Sequence, residues 1–388
     1  MKKQRILYYA HEYYCDYGAR THAREFYSHL QEKFGNESVF IFPPSEPVLQ
    51  SNKASSRTNL FKKILPQKTK MILQSFWGNK KELRQLKDYV VENSIDIIII
   101  RAGYKIAFIN QVRKIKNLKK LVVEVNASIT DEQLKNSLIA PLLKYIEITA
   151  YKKADFITVV SPLLANKFVR RGLKEERILV NPNGVSEHFF KPEIANVSKL
   201  RKQYEIPVET TVIGYIGGFE RFKIIPKIVH DFAAVDSNKH LTLVIIGKGE
   251  DSEQIKDAIK NTSNQEKRNV IYLNTWIPYE QLADYMALFD INIFPYTANH
   301  VSPLKIFEYL VTGKPTIGPD IPALADIFEN EREIYLVSQD RRDFKEVLAH
   351  VLRNEKQSEQ IARAGKEKVL NEYTWSANVN RIISKFKE

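Results

Sequence analysis

The sequence predicts an α/β protein built from two similar halves, on three observations. Between Arg5 and Phe42 a strand, a polar loop, a helix and a second strand follow one another, which is how a parallel sheet opens. Two apolar runs, Ile95–Ile100 (broken only by Asp96) and Leu241–Ile246, read as central strands buried on both faces. The turn cluster Asn181-Pro182-Asn183-Gly184-Val185 closes one alternation of strands and helices, and a second begins at Thr211.

Taken in order, the first half starts with the strand Arg5–Ala10, a loop through Tyr17-Gly18-Ala19, a helix over about Arg20–Lys33, and the strand Glu37–Phe42. Gly18 lies at the carboxyl end of the first strand, where such sheets bind ligands, and equally fits a plain turn. Between Lys53 and Asp88 ten Lys or Arg stand against two acids, interleaved with Phe61, Ile64, Phe76 and Trp77. This pattern suits a segment lying on an anionic membrane surface, and also the solvated face of an ordinary helix. Nucleic acid is not expected, because no recognition motif accompanies the charge. A helix at Lys80–Glu92, the Ile95–Ile100 strand and a helix near Ile106–Ile115 come next. The strand Leu121–Asn126 then places Asn126 at the ligand edge. A long helix (Asp131–Lys153), the strand Phe156–Val160, a helix (Pro162–Arg171) and the strand Ile178–Val180 complete six strands. The charged stretch Glu187–Glu205 reads as a linker.

In the second half, the strand Thr211–Ile216 is followed by Gly217-Gly218, and the strand Leu241–Ile246 by Gly247-Lys248-Gly249. Further strands are Val270–Leu273, Ile291–Phe294 and Thr316-Ile317, and the tail is helical over Gln357–Glu372 and Ser376–Lys387. The pivotal stretch is Ser302-Pro303-Leu304-Lys305-Ile306-Phe307-Glu308-Tyr309-Leu310, closed by Gly313 and Pro315. Ser302 is a suitable N-cap, Pro303 suits the first helical position, and Gly313 suits the end. The expected helix carries an apolar stripe of Phe307, Leu310 and Val311, with Lys305, Glu308 and Thr312 on another face. Its N-terminal amides and Lys305 could hold a phosphate, with Glu308 against a hydroxyl group. A capped core helix with a surface Lys–Glu pair fits the same residues.

Bulk properties narrow the classes. A chain of 388 residues with 44% hydrophobic and 27% charged composition is ordinary globular protein of two domains or one large one. A single cysteine, Cys15, excludes an internal disulfide and a multi-cysteine metal site. Net charge is +13, which favours polyanionic partners. The apolar run after the basic N-terminus breaks at His11-Glu12, too early for a signal peptide, and no run approaches the ~18 residues of a membrane span. The expected location is cytoplasmic or peripheral on the inner face of the cell membrane. Ser252 occupies the position where a dinucleotide fingerprint needs glycine, and Pro315 follows Gly313-Lys314 where a Walker motif needs Ser or Thr. No zinc spacing, nucleophile elbow or kinase signature occurs.

Four stretches together resemble the group 1 enzymes of glycosyltransferase family 4, which have the GT-B fold. They are Val160-Ser161-Pro162 with Asn181–Val185, Tyr215–Phe219 with Lys223, Ile245–Gly249, and Ser302–Pro315. The first half adds Gly18 and Glu124-Val125-Asn126-Ala127. The resemblance implies two Rossmann-like domains facing each other across a nucleotide-sugar cleft. These would be residues 1–190 and 191–372, with residues 373–388 a helix crossing back to the first domain. It implies a retaining transfer of sugar from a nucleotide-sugar donor, with no cofactor and no metal. With the basic aromatic segment 53–88, the expected acceptor is lipid-linked or a polysaccharide, in cell-surface glycan synthesis.

By position, Glu308 would bind the ribose hydroxyls. Ser302, Pro303 and Leu304 with Lys305 would cradle the diphosphate, and Lys223 would neutralise the leaving phosphate. Trp276 and Ile277 fall in the base-contacting loop, and Gly18, Gly217, Gly218 and Lys248 in donor-side loops. Three positions depart from the family. Gly218 replaces an arginine for which Arg221 could substitute, His300 replaces a glutamate, and Asn126 replaces a histidine. An inactive homologue acting as a binding partner, or a sugar-nucleotide epimerase, are the alternative readings.

Overall fold

A computed structural model describes the chain except residues 1–3, 16–18, 46–79, 103–105, 129, 132–139, 187–188, 190–191, 219–224, 250–251, 263–266, 296–301, 339–343 and 387–388. The chain forms two compact units. Met1–Pro182 with Val379–Glu388 make the first, and Asn183–Asn378 the second.

The first unit holds a parallel sheet of β1 (Ile6–Tyr9), β2 (Val39–Phe42), β3 (Ile97–Arg101), β4 (Lys120–Val125), β5 (Phe156–Val159) and β6 (Ile178–Val180), in the order β2-β1-β3-β4-β5-β6. Residues alternate across it, as the two-residue period of a strand requires. Leu7, Ile98, Ile100, Leu121 and Val123 face one core, with helices α2 (Lys80–Glu92), α3 (Ile106–Val112), α4 (Ala140–Tyr151) and α5 (Pro162–Arg170). Ile6, Tyr8, Ile97, Ile99 and Val122 face the other, with α1 (Ala19–Phe34), Val379 and Ile382 of the last helix (Trp375–Ser384), and Phe386 just beyond it. Burial on both faces explains why these strands read as unbroken apolar runs. Ser161 caps α5, accepting a hydrogen bond from the Leu164 N–H at 3.3 Å.

The stretch read as a linker contains a helix, α6 (Ile194–Gln203), tied down where Asn196 Nδ2 donates to Asp284 Oδ2 at 2.8 Å. The second sheet comprises β7 (Thr211–Ile216), β8 (Leu241–Gly247), β9 (Arg268–Asn274), β10 (Ile291–Ile293), β11 (Thr316–Pro319) and β12 (Tyr335–Val337). Their order is β12-β11-β10-β7-β8-β9, all parallel. This is the doubly wound order in which strand succession reverses between β7 and β10, the place where open α/β sheets bind ligands. Strand β12 is additional to the expected strands; three residues give too short a pattern to stand out. Around this sheet lie α7 (Ile225–Ala233), α8 (Ser252–Thr262), α9 (Leu282–Ala287), α10 (Leu304–Val311), α11 (Pro322–Ala325), α12 (Phe344–Arg353) and α13 (Glu355–Glu372), with α14 (Trp375–Ser384) last. At mid-β7, a Cβ on Gly214 would lie 2.0 Å from the Phe289 ring, so only glycine fits beneath that buried side chain.

Candidate functional site

The reversal between β7 and β10 places the pivotal helix at the carboxyl edge of the second sheet. With eight residues α10 is too short to stand alone, and it is held by burial of Ile306, Phe307, Tyr309, Leu310 and Val311. Each such side chain removed from water contributes about 1.5–3 kcal/mol. Gly313, at φ +73°, supplies the left-handed residue that ends the helix. The N-terminal cap differs from expectation. Pro303 is the capping residue and makes no side-chain hydrogen bond. Ser302 does not cap, because its hydroxyl accepts the Asn183 N–H (3.3 Å) while its carbonyl accepts Asn183 Nδ2 (2.5 Å). Asn183, at the start of the second unit, thus anchors the entry to α10.

Lys305 and Glu308 do not form a surface pair. Lys305 Nζ lies 2.5 Å from Glu308 Oε2, and the carboxylate side chain is 3% exposed against 21% for the lysine. Glu308 therefore belongs to the buried side of the helix, contrary to the stripe expected from spacing. A charge this enclosed is tolerated because its partner is one turn away. Two further polar groups fix the helix on the sheet. The Tyr309 hydroxyl accepts the Ile216 N–H at the end of β7 (2.8 Å). From mid-β10, buried Asn292 donates through Nδ2 to the Tyr309 carbonyl (3.3 Å) and Thr312 Oγ1 (3.2 Å). Neither residue is among those that sequence reasoning selects. The available signal is a polar residue inside the run Ile291–Ile293, which must find partners when buried. Tyr309→Phe should cost about 1–3 kcal/mol, because the Ile216 N–H loses its acceptor; an unchanged urea midpoint would show that this bond does not anchor the site.

Loops after β7, β8 and β9 meet beside this helix's strand. A Cβ placed on Gly218 would lie 3.6 Å from the Trp276 ring and 4.0 Å from the Lys248 carbonyl. Gly218, Lys248 and Trp276 are all exposed, with the indole at 62%. Tyr215 donates its hydroxyl to the Gly218 carbonyl (3.3 Å) and stacks on Phe294 just past β10 (5.9 Å between centroids). That hydroxyl would lie 2.8 Å from a Cβ on Gly217, so any side chain there must displace the Tyr215 ring. Ile277 is half-buried against the core under α10. The structure thus brings Gly217, Gly218, Lys248 and Trp276 to one edge, with an apolar ring, bare backbone and a cation at hand. Arg221, Lys223 and His300 lie outside the described residues, as does Gly18 in the first unit.

In the first unit, Asn126 follows β4, beside a buried charge network that spacing alone does not reveal. Glu124 Oε1 accepts from Arg101 Nη1 (2.6 Å) and contacts His22 Nε2, while Tyr8 donates to Oε2 (2.9 Å). Glu12 Oε2 stands 4.0 Å from Arg101 Nε. Burial alone would raise the Glu124 carboxyl, but His22 and Arg101 outweigh it and lower the group to about 2. Burial, helped by the Glu124 charge, pushes the Tyr8 hydroxyl well above its ordinary value. The Asn126 amide is satisfied with its oxygen toward the Arg101 guanidinium, 3.1 Å from Nη1. With its oxygen held by Arg101, Asn126 offers its NH2 as a hydrogen-bond donor, a role different from that of a general base.

Comparison with known proteins agrees with this architecture. Residues 17–189 match the family described as Glycosyltransferase Family 4, and residues 230–384 the one described as Glycosyl transferase-like. Together these matches make the chain a glycosyltransferase that resembles the group 1, family 4 enzymes. It is 20% identical over 386 residues to an uncharacterized glycosyltransferase, MJ1069, of Methanocaldococcus jannaschii, covering 95% of this chain and 94% of that one. It is 30% identical over 191 residues to the putative teichuronic acid biosynthesis glycosyltransferase TuaH of Bacillus subtilis, covering 47% of this chain and 44% of that one. Among solved structures, sucrose-phosphate synthase from Thermosynechococcus elongatus superposes with a TM-score of 0.72 at 18% identity, covering 99% and 98% of the two chains. Anabaena HepE, solved with UDP-glucose, gives 0.65 at 13% identity over 99% of each chain. Two six-stranded parallel sheets with these neighbours make the fold GT-B. Among the described residues, no helix of this glycosyltransferase is long and apolar enough to cross a membrane.

Proposed function

We propose that this glycosyltransferase transfers a sugar, with retention of configuration, from a nucleotide-sugar donor to a lipid-linked or polysaccharide acceptor of cell-surface glycan synthesis. The observation that carries the donor site is the enclosed Lys305–Glu308 pair at the start of α10, beside the reversal between β7 and β10. An anionic diphosphate fits the helix N-terminus, and Lys305 turns from Glu308 to phosphate as Glu308 accepts the ribose hydroxyls. The exposed Trp276 face offers a stacking platform for the base. Asn126 donates to a sugar oxygen, and Lys223 with Arg221 neutralises charge on the leaving diphosphate. No metal is needed where lysines and amides carry that charge. HepE was solved with UDP-glucose, and TuaH is named for teichuronic acid synthesis; both support the substrate class. The basic stretch 53–88 would hold the enzyme at an anionic membrane; its residues 53–79 lie outside the described residues.

The test is a thermal-shift screen against UDP, GDP, ADP and CDP, with and without EDTA. Binding to the folded state raises the melting temperature by mass action. One base should stabilise the protein equally in both buffers, and Glu308→Ala should weaken that nucleotide by about 1–3 kcal/mol through a lost charged hydrogen bond. Unchanged affinity would remove Glu308 from the site. A shift abolished by EDTA would overturn the metal-free reading, and binding without turnover of any sugar nucleotide would make the protein a non-catalytic partner.

A further inference from the structure

The outer side of α4 and α5 carries an apolar and basic surface that the donor site does not use. Eight large hydrophobic side chains are exposed among the described residues, and four of them sit on these two helices: Leu142 (57%), Tyr145 (68%), Leu163 and Val169. The helices are neighbours. They connect β4 to β5 and β5 to β6, three strands adjacent in the sheet, and right-handed crossovers put both on one face. Tyr151 packs edge-on against Phe168 (5.3 Å between centroids), and Arg171 reaches Glu147 at 3.3 Å. Inward go Leu143, Ile148, Leu164 and Phe168. On the outer side helical spacing aligns Leu142 and Tyr145 along α4, with Lys152 just past its end, and Leu163, Lys167 and Arg170 along α5.

Charge identifies the occupant. Residues 140–174 carry seven Lys or Arg against two acids, Glu147 and Asp155, and Glu147 is fully buried. Asp155 is taken by Arg113 (3.4 Å), and Glu176, next to Glu175 just beyond this stretch, pairs with Lys174 (3.4 Å), while the Asp131 carboxylate takes Lys144 (3.2 Å), Lys167 (2.6 Å) and Arg171 (2.6 Å) together. Partial burial opposes ionisation of Asp131, but hydrogen bonds from Lys167 and Arg171 hold it well below the usual carboxylate range. One carboxylate shared by three cations leaves the surface positive. We propose that the α4–α5 face docks on an anionic phospholipid bilayer, with Leu142, Tyr145 and Leu163 entering the headgroup boundary. The lysines and arginines around them then meet lipid phosphates. Side-by-side helices with aliphatic and tyrosyl side chains ringed by long basic ones match the depth profile of that boundary. Nucleic acid would have no use for the exposed leucines. In sequence this face is separate from the stretch 53–88, and its binding needs no donor.

Full-length protein is mixed with phosphatidylcholine vesicles with or without phosphatidylglycerol and sedimented. Wild type should partition onto the anionic vesicles and be released by salt. Leu142→Ser with Tyr145→Ser, and separately Lys152→Glu with Arg170→Glu, should each lower partitioning about tenfold. The control, Ile194→Ser with Val208→Ser, removes still more exposed apolar groups from the second unit (82% and 86%) and should change nothing. All six positions are exposed, and circular dichroism checks the fold of each variant. Undiminished partitioning of both α4–α5 variants overturns the proposal. So does a loss seen only on charge reversal of Lys62, Lys63, Lys68 and Lys70, which would assign the membrane to the other segment. Absence of wild-type binding, or a change in sedimentation coefficient showing that the face joins two copies, overturns it as well.

Discussion

Glu124→Gln should destabilise the first unit by about 3–5 kcal/mol, the loss expected when one member of a buried ion pair is removed. The substitution keeps shape and leaves Tyr8 an acceptor, but Arg101 keeps its charge at 8% exposure with its nearest carboxylate gone. The effect carries a pH signature whose sign is fixed by the direction of the shift. The Glu124 carboxyl is lowered in the folded protein from its ordinary value near 4.5 to about 2. Its contribution to stability is therefore complete above about pH 4.5 and is lost as pH falls toward 2. A lowering of that size corresponds to about 3 kcal/mol. Urea denaturation at pH 7 and pH 3 checks both statements: the gap between wild type and variant should be wide at pH 7 and narrow at pH 3. Equal midpoints at pH 7 would show that the network is not a source of stability. Because Arg101 also orients Asn126, the variant should lose turnover at temperatures where it remains folded.

Lys223→Ala should lower turnover by about two to three orders of magnitude, roughly 3–4 kcal/mol in the barrier, while nucleotide affinity changes much less. This follows from the proposed chemistry. Negative charge on the β-phosphate grows as the glycosidic bond stretches, so a cation placed there acts mainly on the transition state. The nucleoside diphosphate is already charged before reaction and, in the proposed site, would be bound by the α10 terminus and Lys305. Steady-state kinetics with the sugar nucleotide chosen by the thermal-shift screen, together with titration of the free nucleotide, separate the two effects. Equal losses in turnover and affinity would make Lys223 a binding residue. Arg221→Ala beside it distinguishes whether that arginine has taken over where Gly218 stands in place of the family's arginine.

Much of the fold is legible in the chain itself. Strands buried on both faces read as nearly continuous apolar runs, so Ile97–Ile100 and Leu241–Ile246 declare a parallel sheet in each half. Gly313 and Pro315 mark the end of α10 because only a left-handed residue and a ring without an N–H fit there. Motif order from Val160 to Pro315 marks the family, and comparison bears it out. Helix α6 is hidden by its charged composition, which reads as a linker although Val197, Leu200 and Tyr204 recur at helical spacing and pack on the core, and β12 by its length, since three residues carry too little pattern.

What sequence by itself determined, then, was the alternation of elements, the family, and the residue types gathered at each strand end, all of which depend on local periodicity and spacing. Tertiary structure decided which polar groups meet. Ser302 gave up its cap for Asn183, 119 positions away. Glu308 is enclosed with Lys305 because tertiary packing surrounds α10 on nearly every side, where spacing alone allowed one open face. Arg101 and Glu124 pair across adjacent strands with His22 from a helix. Partners this distant in sequence are chosen by strand order and by the desolvation penalty on any buried charge left alone, and neither is written in a local run of residues.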